Sequence, residues 1–352
     1  MKRWLPLFLL FAFLQTSFAQ STGGREVYQF LNLSPSARVT ALGGNLITVR
    51  DDDINLAFAN PGLLNPSMHH QISFNHNFHL ADIQHGYVAF GQYVPAWNTT
   101  LHAGLQYITY GTFDATNVVG EKEGEFKAAE YALTLGAGHE LYERLSVGAN
   151  LKLISSQFEG YDSYGLAADL AGVFHDTARQ FTATLLFKHI GGQLTTYRPG
   201  NREDIPFEIQ FGISKRLRYL PFRFSIIYRD LQRWNVLYDD PNSVEDVLFG
   251  EVTTDGGNQF FDNLFRHFVF NGEFLFGRRE NFRLRAGYSH LLRQELSVEN
   301  YRSITGFSFG FGIKINRFRI DYGWGKQHLA GGLNHFTIST NFREFGAGRL
   351  TN

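Results

Sequence analysis

Residues 306–324 read GFSFGFGIKINRFRIDYGW. Phe307, Phe309, Phe311, Ile313 and Ile315 take every second position, opposite Ser308, Gly310, Gly312 and Lys314. After Asn316 the pattern resumes, with Phe318, Ile320, Tyr322 and Trp324 against Arg317, Arg319 and Asp321. Successive side chains of a strand point to opposite faces, so this period predicts two strands joined by a tight turn. One face is apolar and the other carries glycine and charge.

The same alternation spreads outward from this hairpin. In 281–289, Phe282, Leu284, Ala286 and Tyr288 oppose Arg283, Arg285 and Ser289; in 207–214, Phe207, Ile209, Phe211 and Ile213 oppose Glu208, Gln210, Gly212 and Ser214. About fourteen such runs can be read. They lie near 68–79, 85–94, 99–110, 126–139, 143–155, 162–175, 180–190, 205–217, 221–231, 264–277, 281–291, 302–315, 317–325 and 333–342. Each is about 9–15 residues long, where strands of soluble proteins cluster near 5–6. A tilted strand of about 9–11 residues crosses a membrane. A soluble sandwich would hide its aromatic face between sheets and needs no strands of this length. Lipid takes the apolar face directly, and closure removes unpaired backbone edges. The expected fold is all-β: a 14-stranded antiparallel transmembrane β-barrel over residues 68–342, followed by a short tail, 343–352.

Composition agrees. The chain of 352 residues holds 35 Phe, 16 Tyr and 4 Trp, and charged residues make up only 18%, against about 25% in a typical soluble domain. With no Cys at all, a disulfide scaffold, a thiolate zinc site, a Cys nucleophile and a lipidated Cys are excluded. The balance of 32 basic and 33 acidic residues gives no basic excess for nucleic acid. Lys2 and Arg3 precede an apolar run from Leu5 to Leu14, and Ser17-Phe18-Ala19 follows. This is the layout of a secretory signal peptide over residues 1–19.

The connections between the runs differ in length. Gaps at 95–98, 140–142, 176–179, 218–220, 278–280 and 316 are short. They alternate with gaps that are mostly longer: 111–125, 191–204, 232–263 and 292–301. Outer-membrane barrels pair short periplasmic turns with longer extracellular loops, so an even strand number leaves both termini periplasmic. The longest gap, 232–263, mixes acids with Trp234, Tyr238, Phe249, Phe260 and Phe261. It is read as a solvated loop that offers steering charge and aromatic anchors to a partner.

Residues 20–67 do not alternate. Gly43-Gly44, Pro61 and Pro66 punctuate the segment, with short helices between, and Leu56, Phe58, Leu63 and Leu64 need cover from water. A plug or hatch inside the lumen provides that cover; a periplasmic tail is the alternative. The run Ala41-Leu42-Gly43-Gly44, the pair Asp52-Asp53, and Asn60-Pro61-Gly62 resemble the N-terminal region of the PorV/PorQ outer-membrane proteins of type IX secretion. Those belong with the FadL-like barrels, which have fourteen strands and a hatch carrying Asn-Pro-Ala; here Gly62 stands in place of the Ala. Length and the lack of a long insertion look more like PorQ. The resemblance covers nearly the whole chain. It implies a non-enzymatic component of the cell-surface attachment machinery beside PorU, PorV and PorZ, in contact with outer-membrane lipid.

No motif for catalysis stands up. Gly306–Gly310 matches G-x-S-x-G, but that elbow needs a strand, a sharp turn and a helix, whereas Ser308 falls mid-strand. H-E-x-x-H, S-x-x-K and G-x-x-x-x-G-K-[ST] are absent. His69, His70, His76, His79 and His85 lie close in sequence but on two strand faces, and Asp51, Asp53 and Asn55 lack the Gly and distal Glu of a calcium loop. No cofactor, metal or nucleic-acid site is expected. Two readings remain: a secretion scaffold that docks partners, and a FadL-like channel for hydrophobic small molecules. A hydrolase ranks below both. A lumen face carrying Arg283, Arg285, Arg317, Arg319, Asp321, Lys314, Glu208 and Glu273 points to a closed lumen. Phe309→Arg is expected to cost roughly 2–4 kcal/mol near the bilayer midplane, and Ser308→Arg less.

Overall fold

The computed structural model describes residues 26–79, 82–237, 256–277, 280–296, 304–328 and 331–346. The signal-peptide reading, residues 1–19, lies outside these, as does the end of the tail beyond 346.

All fourteen runs are strands: β1 (Gln71–Phe78), β2 (Gln84–Val94), β3 (Thr99–Thr116), β4 (Lys122–Tyr142), β5 (Leu145–Phe158), β6 (Tyr161–Asp176), β7 (Phe181–Gln193), β8 (Glu208–Arg216), β9 (Phe222–Tyr228), β10 (Phe268–Phe276), β11 (Phe282–Ser289), β12 (Phe307–Ile315), β13 (Phe318–His328) and β14 (Gly331–Asn341). Each pairs with its sequence neighbours, and β1 pairs antiparallel with β14 from Gln71↔Asn341 to Phe78↔Asn334, closing the barrel. Among the described residues no helix is long and apolar enough to cross a membrane; the crossing is by strands.

The faces follow the alternation. Phe309 is 47% exposed while Ser308 beside it is 4%, which assigns the aromatic set to the outside. Phe74, Leu151, Leu185, Phe274, Leu284, Ile320 and Phe336 share that outer face, and Ser73, Asn75, Asn150, Thr184, Glu273, Arg285 and Thr337 are buried inside. This is the reverse of a soluble core, as lipid requires.

The wall is uneven. β3, β4, β5 and β6 run 18, 21, 14 and 16 residues, whereas β8 to β12 run 9, 7, 9, 8 and 9. The strand limits depart from the expected ones where hairpins outlast the alternation. β3 and β4 continue past 110 and start before 126, so the expected loop 111–125 shrinks to 117–121. β8 begins at Glu208 rather than 205 and β12 at Phe307 rather than 302. The expected loop 232–263 is corrected more fully, since an α-helix, Gly256–Arg266, occupies its end and leads into β10.

Before the barrel come two one-turn helices, α1 (Ala37–Ala41) and α2 (Leu56–Ala59), with 3₁₀ turns at Gln29–Asn32, Pro61–Leu63 and Pro66–Met68. The Ser36 side chain accepts from Val39 N and caps α1. The helix Gly256–Arg266 is α3, and α4 (His290–Glu295) follows β11.

Orientation is testable because the chain has no native Cys. Val118 and Trp97 are exposed at opposite ends of the wall. In intact cells a membrane-impermeant thiol reagent should label Val118→Cys and spare Trp97→Cys. The opposite labelling would invert the topology.

Candidate functional site

Residues 26–68 have little regular structure, so most of their backbone groups need partners from elsewhere. Inward-facing side chains of the barrel supply them. Gln106 Nε2 donates to Phe30 O at 3.0 Å and Asn150 Nδ2 to Ala57 O at 2.9 Å. Thr184 Oγ1 donates to Ile47 O at 3.1 Å, Ser214 Oγ to Thr48 O at 2.8 Å and Asn271 Nδ2 to Asn45 O at 2.8 Å. Ser308 Oγ donates to Ala41 O at 3.0 Å and accepts from Gly43 N at 2.7 Å, while Ala37 N donates to Thr337 Oγ1 at 2.9 Å. Donors and acceptors from β3 round to β14 thus converge on one segment, and its apolar residues Leu42, Leu46, Leu56, Phe58, Leu63 and Leu64 are buried there.

Backbone approaches backbone at inward glycines. A Cβ on Gly148 would collide with Pro61, on Gly287 with Leu42 and Gly43, and on Gly323 with Ala37. These inner-face glycines are therefore contact points for the segment.

Asn60-Pro61-Gly62 forms a capped turn. Asn60 Oδ1 accepts from Gly62 N at 2.9 Å, and its Nδ2 donates to Ile47 O at 2.6 Å. Pro61 opens the 3₁₀ turn that its fixed φ favours. A Cβ at Gly62 would lie 2.8 Å from Val173 Cγ2, which accounts for Gly where the family-like motif has Ala. Asn65-Pro66 repeats the device five residues on: Asn65 Oδ1 accepts from Ser67 N at 2.9 Å and Nδ2 donates to Asp51 O at 2.8 Å. This second turn was unread in the sequence, although Asn-Pro recurs there. Gly43 and Gly44 both take positive φ, 74° and 80°, a conformation that glycine adopts without strain.

The charges meet at Arg38, which is fully buried. Its Nε donates to Glu273 Oε1 at 3.0 Å, Nη1 to Asp51 and Asp53 at 3.1 Å each, and Nη2 to Asp51 at 2.8 Å and Glu273 at 3.1 Å. Glu273 also accepts from Arg223 at 2.6 Å and from Arg285 at 3.0 Å, and Arg285 reaches Asp321 at 2.5 Å. Arg319 grips Asp52 with two bonds of 3.0 and 2.9 Å. Burial alone would raise the Asp51 carboxyl, but Arg38 and Arg223 outweigh it and hold it below the usual carboxylate range. The pair Asp52-Asp53 is therefore split, Asp52 to the wall and Asp53 to Arg38. Glu208, Arg283, Arg285, Arg319, Asp321 and Glu273 do face inward, whereas Arg317 is exposed at the turn after Asn316; Asp51, weighed in the sequence only as part of a calcium loop, joins them through Arg38, which was not singled out.

A second buried pair, Lys152 Nζ to Asp169 Oδ2 at 2.7 Å, lies under the Phe58 ring, 4.4 Å from Nζ to its centroid. Nearby, Lys188 and Arg229 both pair with Glu208, at 3.8 and 2.8 Å. Between this cluster and the segment is a cavity of about 40 Å³, lined by Leu31, Leu33, Val39, Leu46 and Phe58 and by Lys188, Gln210 and Arg229. The strand pairing changes beside it. The β7–β8 ladder ends at Lys188↔Glu208, while β7 runs on to Gln193 paired to β6 alone, through a bulge at His189 with φ 55°.

The histidines divide. His79 Nε2 and His85 Nδ1 share a hydrogen bond of 2.8 Å, and the His85 ring lies 5.4 Å from that of His335. His76 bonds Tyr107, and His69 stacks on His70. Ser308 is bonded to backbone only, among the described residues. Of the aromatic anchors, Trp234 packs on Phe260 at 5.3 Å and Phe260 on Phe261 at 5.6 Å; Tyr238 and Phe249 lie outside the described residues.

The fold has known counterparts. The CymD monoaromatic hydrocarbon channel is similar at 14% identity and TM-score 0.50, over 88% of this chain and 96% of that one. The Pseudomonas putida toluene transporter TodX is similar at 11% identity and TM-score 0.50, over 87% and 96%. A Pseudomonas aeruginosa FadL homologue is similar at 10% identity and TM-score 0.47, over 88% and 98%. No protein-family model matches the chain, and no curated protein matches it by sequence, so the type IX resemblance gains no support from either comparison. The architecture, a closed antiparallel barrel of fourteen strands with its apolar face outward, is that of an outer-membrane β-barrel, the fold it shares with the CymD and TodX channels.

Proposed function

We propose that the chain is an outer-membrane channel of the FadL-like class for hydrophobic small molecules, held closed by residues 20–67 acting as a plug. The observation that carries this reading is the cavity beside the end of the β7–β8 ladder, with Leu31, Val39, Leu46 and Phe58 on one side. Apolar side chains beside the end of this ladder can take a hydrophobic solute without passing it through water. At about 40 Å³ the cavity is too small for such a solute. Passage therefore requires the plug segment to shift away from Lys188, Gln210 and Arg229. The fold shared with hydrocarbon channels supports the same reading. On this reading both termini face the periplasm.

A second reading is favoured by the charge network. Arg38, Arg223, Arg285 and Arg319 are matched by Asp51, Asp52, Asp53, Glu273 and Asp321 across the lumen, which suits a rigid, permanently shut scaffold. Such a scaffold, without enzymatic activity, would dock type IX attachment proteins resembling PorU, PorV and PorZ.

Vesicle reconstitution separates the two. A channel should speed entry of toluene into vesicles over protein-free controls, and Leu46→Trp, which fills the cavity, should remove the gain. Unchanged entry with the folded wild type would reject the channel. Recovery of attachment proteins with the barrel from outer membranes would then favour the scaffold.

A further inference from the structure

We infer that α3 is a membrane-interface helix whose aromatic face sits in the lipid leaflet at its own rim of the barrel, completing the apolar belt where the wall is lowest. Phe260, Phe261 and Phe265 are exposed at 52%, 58% and 46%. On an isolated soluble surface such a patch would be a liability. Here it continues an established lipid face. Phe265 lies 6.4 Å from Phe268, the first residue of β10, and Phe268 stacks on Phe270 at 5.9 Å along the outer wall. Trp234, packed on Phe260, adds the residue type that favours membrane interfaces.

Strand length supplies the second argument. β9 has 7 residues, its neighbours β8 and β10 have 9 each, and β11 beyond β10 has 8. A tilted strand of 7 residues rises about 16 Å, short of the apolar band of about 25 Å that such barrels present. Apolar surface is missing at this part of the rim, and α3 lies there, directly ahead of β10.

The helix is also held with that face turned out. Its buried Asn263 accepts from Val236 N at 3.1 Å and donates to Trp234 O at 2.6 Å. Asp262 accepts from Arg266 at 2.8 Å and shares a hydrogen bond of 3.0 Å with His290 at the start of α4. The polar edge is thus tied to the barrel. An aromatic face with charged residues behind it suits a helix lying in the headgroup–acyl boundary. The occupant is bilayer lipid rather than a protein partner.

The test uses the full protein with one fluorophore on Phe261→Cys, in phosphatidylcholine vesicles containing lipid spin-labelled at a shallow acyl position. Phe309→Cys on the lipid face and Tyr219→Cys, exposed in a turn, are the references. Heat-modifiable migration confirms each barrel is folded, and Phe265→Cys repeats the measurement should position 261 disturb folding. Quenching by lipid close to that at 309 and several-fold above that at 219, with shielding from aqueous iodide, is expected. Iodide quenching equal to that at 219 would overturn the proposal, placing the helix in water. Shielding from iodide without lipid quenching would overturn it too, since protein would then cover the face; dependence on protein density would identify a second copy.

Discussion

Arg38→Ala should release the segment inside the barrel and destabilise the protein by about 3–5 kcal/mol, the cost of stripping one partner from a buried ion pair. Among the described residues only Arg38 contacts all three of Asp51, Asp53 and Glu273. Without it Asp53 keeps, among the described residues, only Asn55 as a side-chain hydrogen-bond partner, and Asp51 and Glu273 crowd around Arg223. Arg38→Lys should rescue little, because a point ammonium cannot divide five hydrogen bonds among three carboxylates as the planar guanidinium does. These groups lie on the lumen side, away from the lipid-facing side chains, so the barrel should still form and show heat-modifiable migration. Two readouts follow. Residues 26–68 should become sensitive to protease at concentrations that leave the wild type intact, and the folded band should be lost at a lower urea concentration. If the variant were as protease-resistant as the wild type, the network would not be what holds the segment. The channel reading adds faster toluene entry in the same variant; a permanently shut scaffold does not predict it.

Much of this architecture could be read in the sequence because lipid imposes a two-residue period that survives in linear text. Phe307, Phe309 and Phe311 against Ser308 and Gly310 assign face and strand together, and every such run is a strand. The glycines of the inner face were visible too, though their purpose was not: Gly287 and Gly323 are glycine because Leu42, Gly43 and Ala37 lie against them, at contacts far apart in sequence. Arg38 escaped notice for the same reason. It sits in an ordinary stretch, Ser36-Ala37-Arg38-Val39, and its role appears only when Glu273, 235 positions away, is brought to 3.0 Å. The helix α3 was legible in principle, since Phe260, Phe261, Leu264 and Phe265 recur at helical spacing. A long gap between strands invites the reading of a solvated loop, and that reading hid the period. Strand ends were misplaced where β3 and β4 continue beyond the membrane-length alternation, supported by the ladder between them rather than by lipid.

Ser308→Arg and Phe309→Arg, neighbours on opposite faces, provide the sharpest comparison, and the structure reverses the order expected from sequence. Phe309 lies outward mid-strand between Phe307 and Phe311, so an arginine there meets lipid and costs roughly 2–4 kcal/mol if the position is near the midplane. The lumen side was expected to be cheaper because water or polar groups could receive the charge. Ser308 has no such room. Its hydroxyl bridges Ala41 O and Gly43 N, it is buried, and Ala41 also lies against Gly310 on the same face. An arginine must push α1 aside, an overpacking cost of about 1–3 kcal/mol, and place a charge against backbone whose carbonyl and amide have lost their partner. Ser308→Arg should therefore cost at least as much as Phe309→Arg, and in a different way. Phe309→Arg should impair assembly while leaving residues 26–68 protected in whatever barrel forms. Ser308→Arg should leave the outer wall intact but expose that segment to protease. Ser308→Ala, which removes only the bridge, should cost about 1–2 kcal/mol and keep the segment protected. Protease resistance of residues 26–68 in a folded Ser308→Arg barrel would show that α1 does not lie against β12.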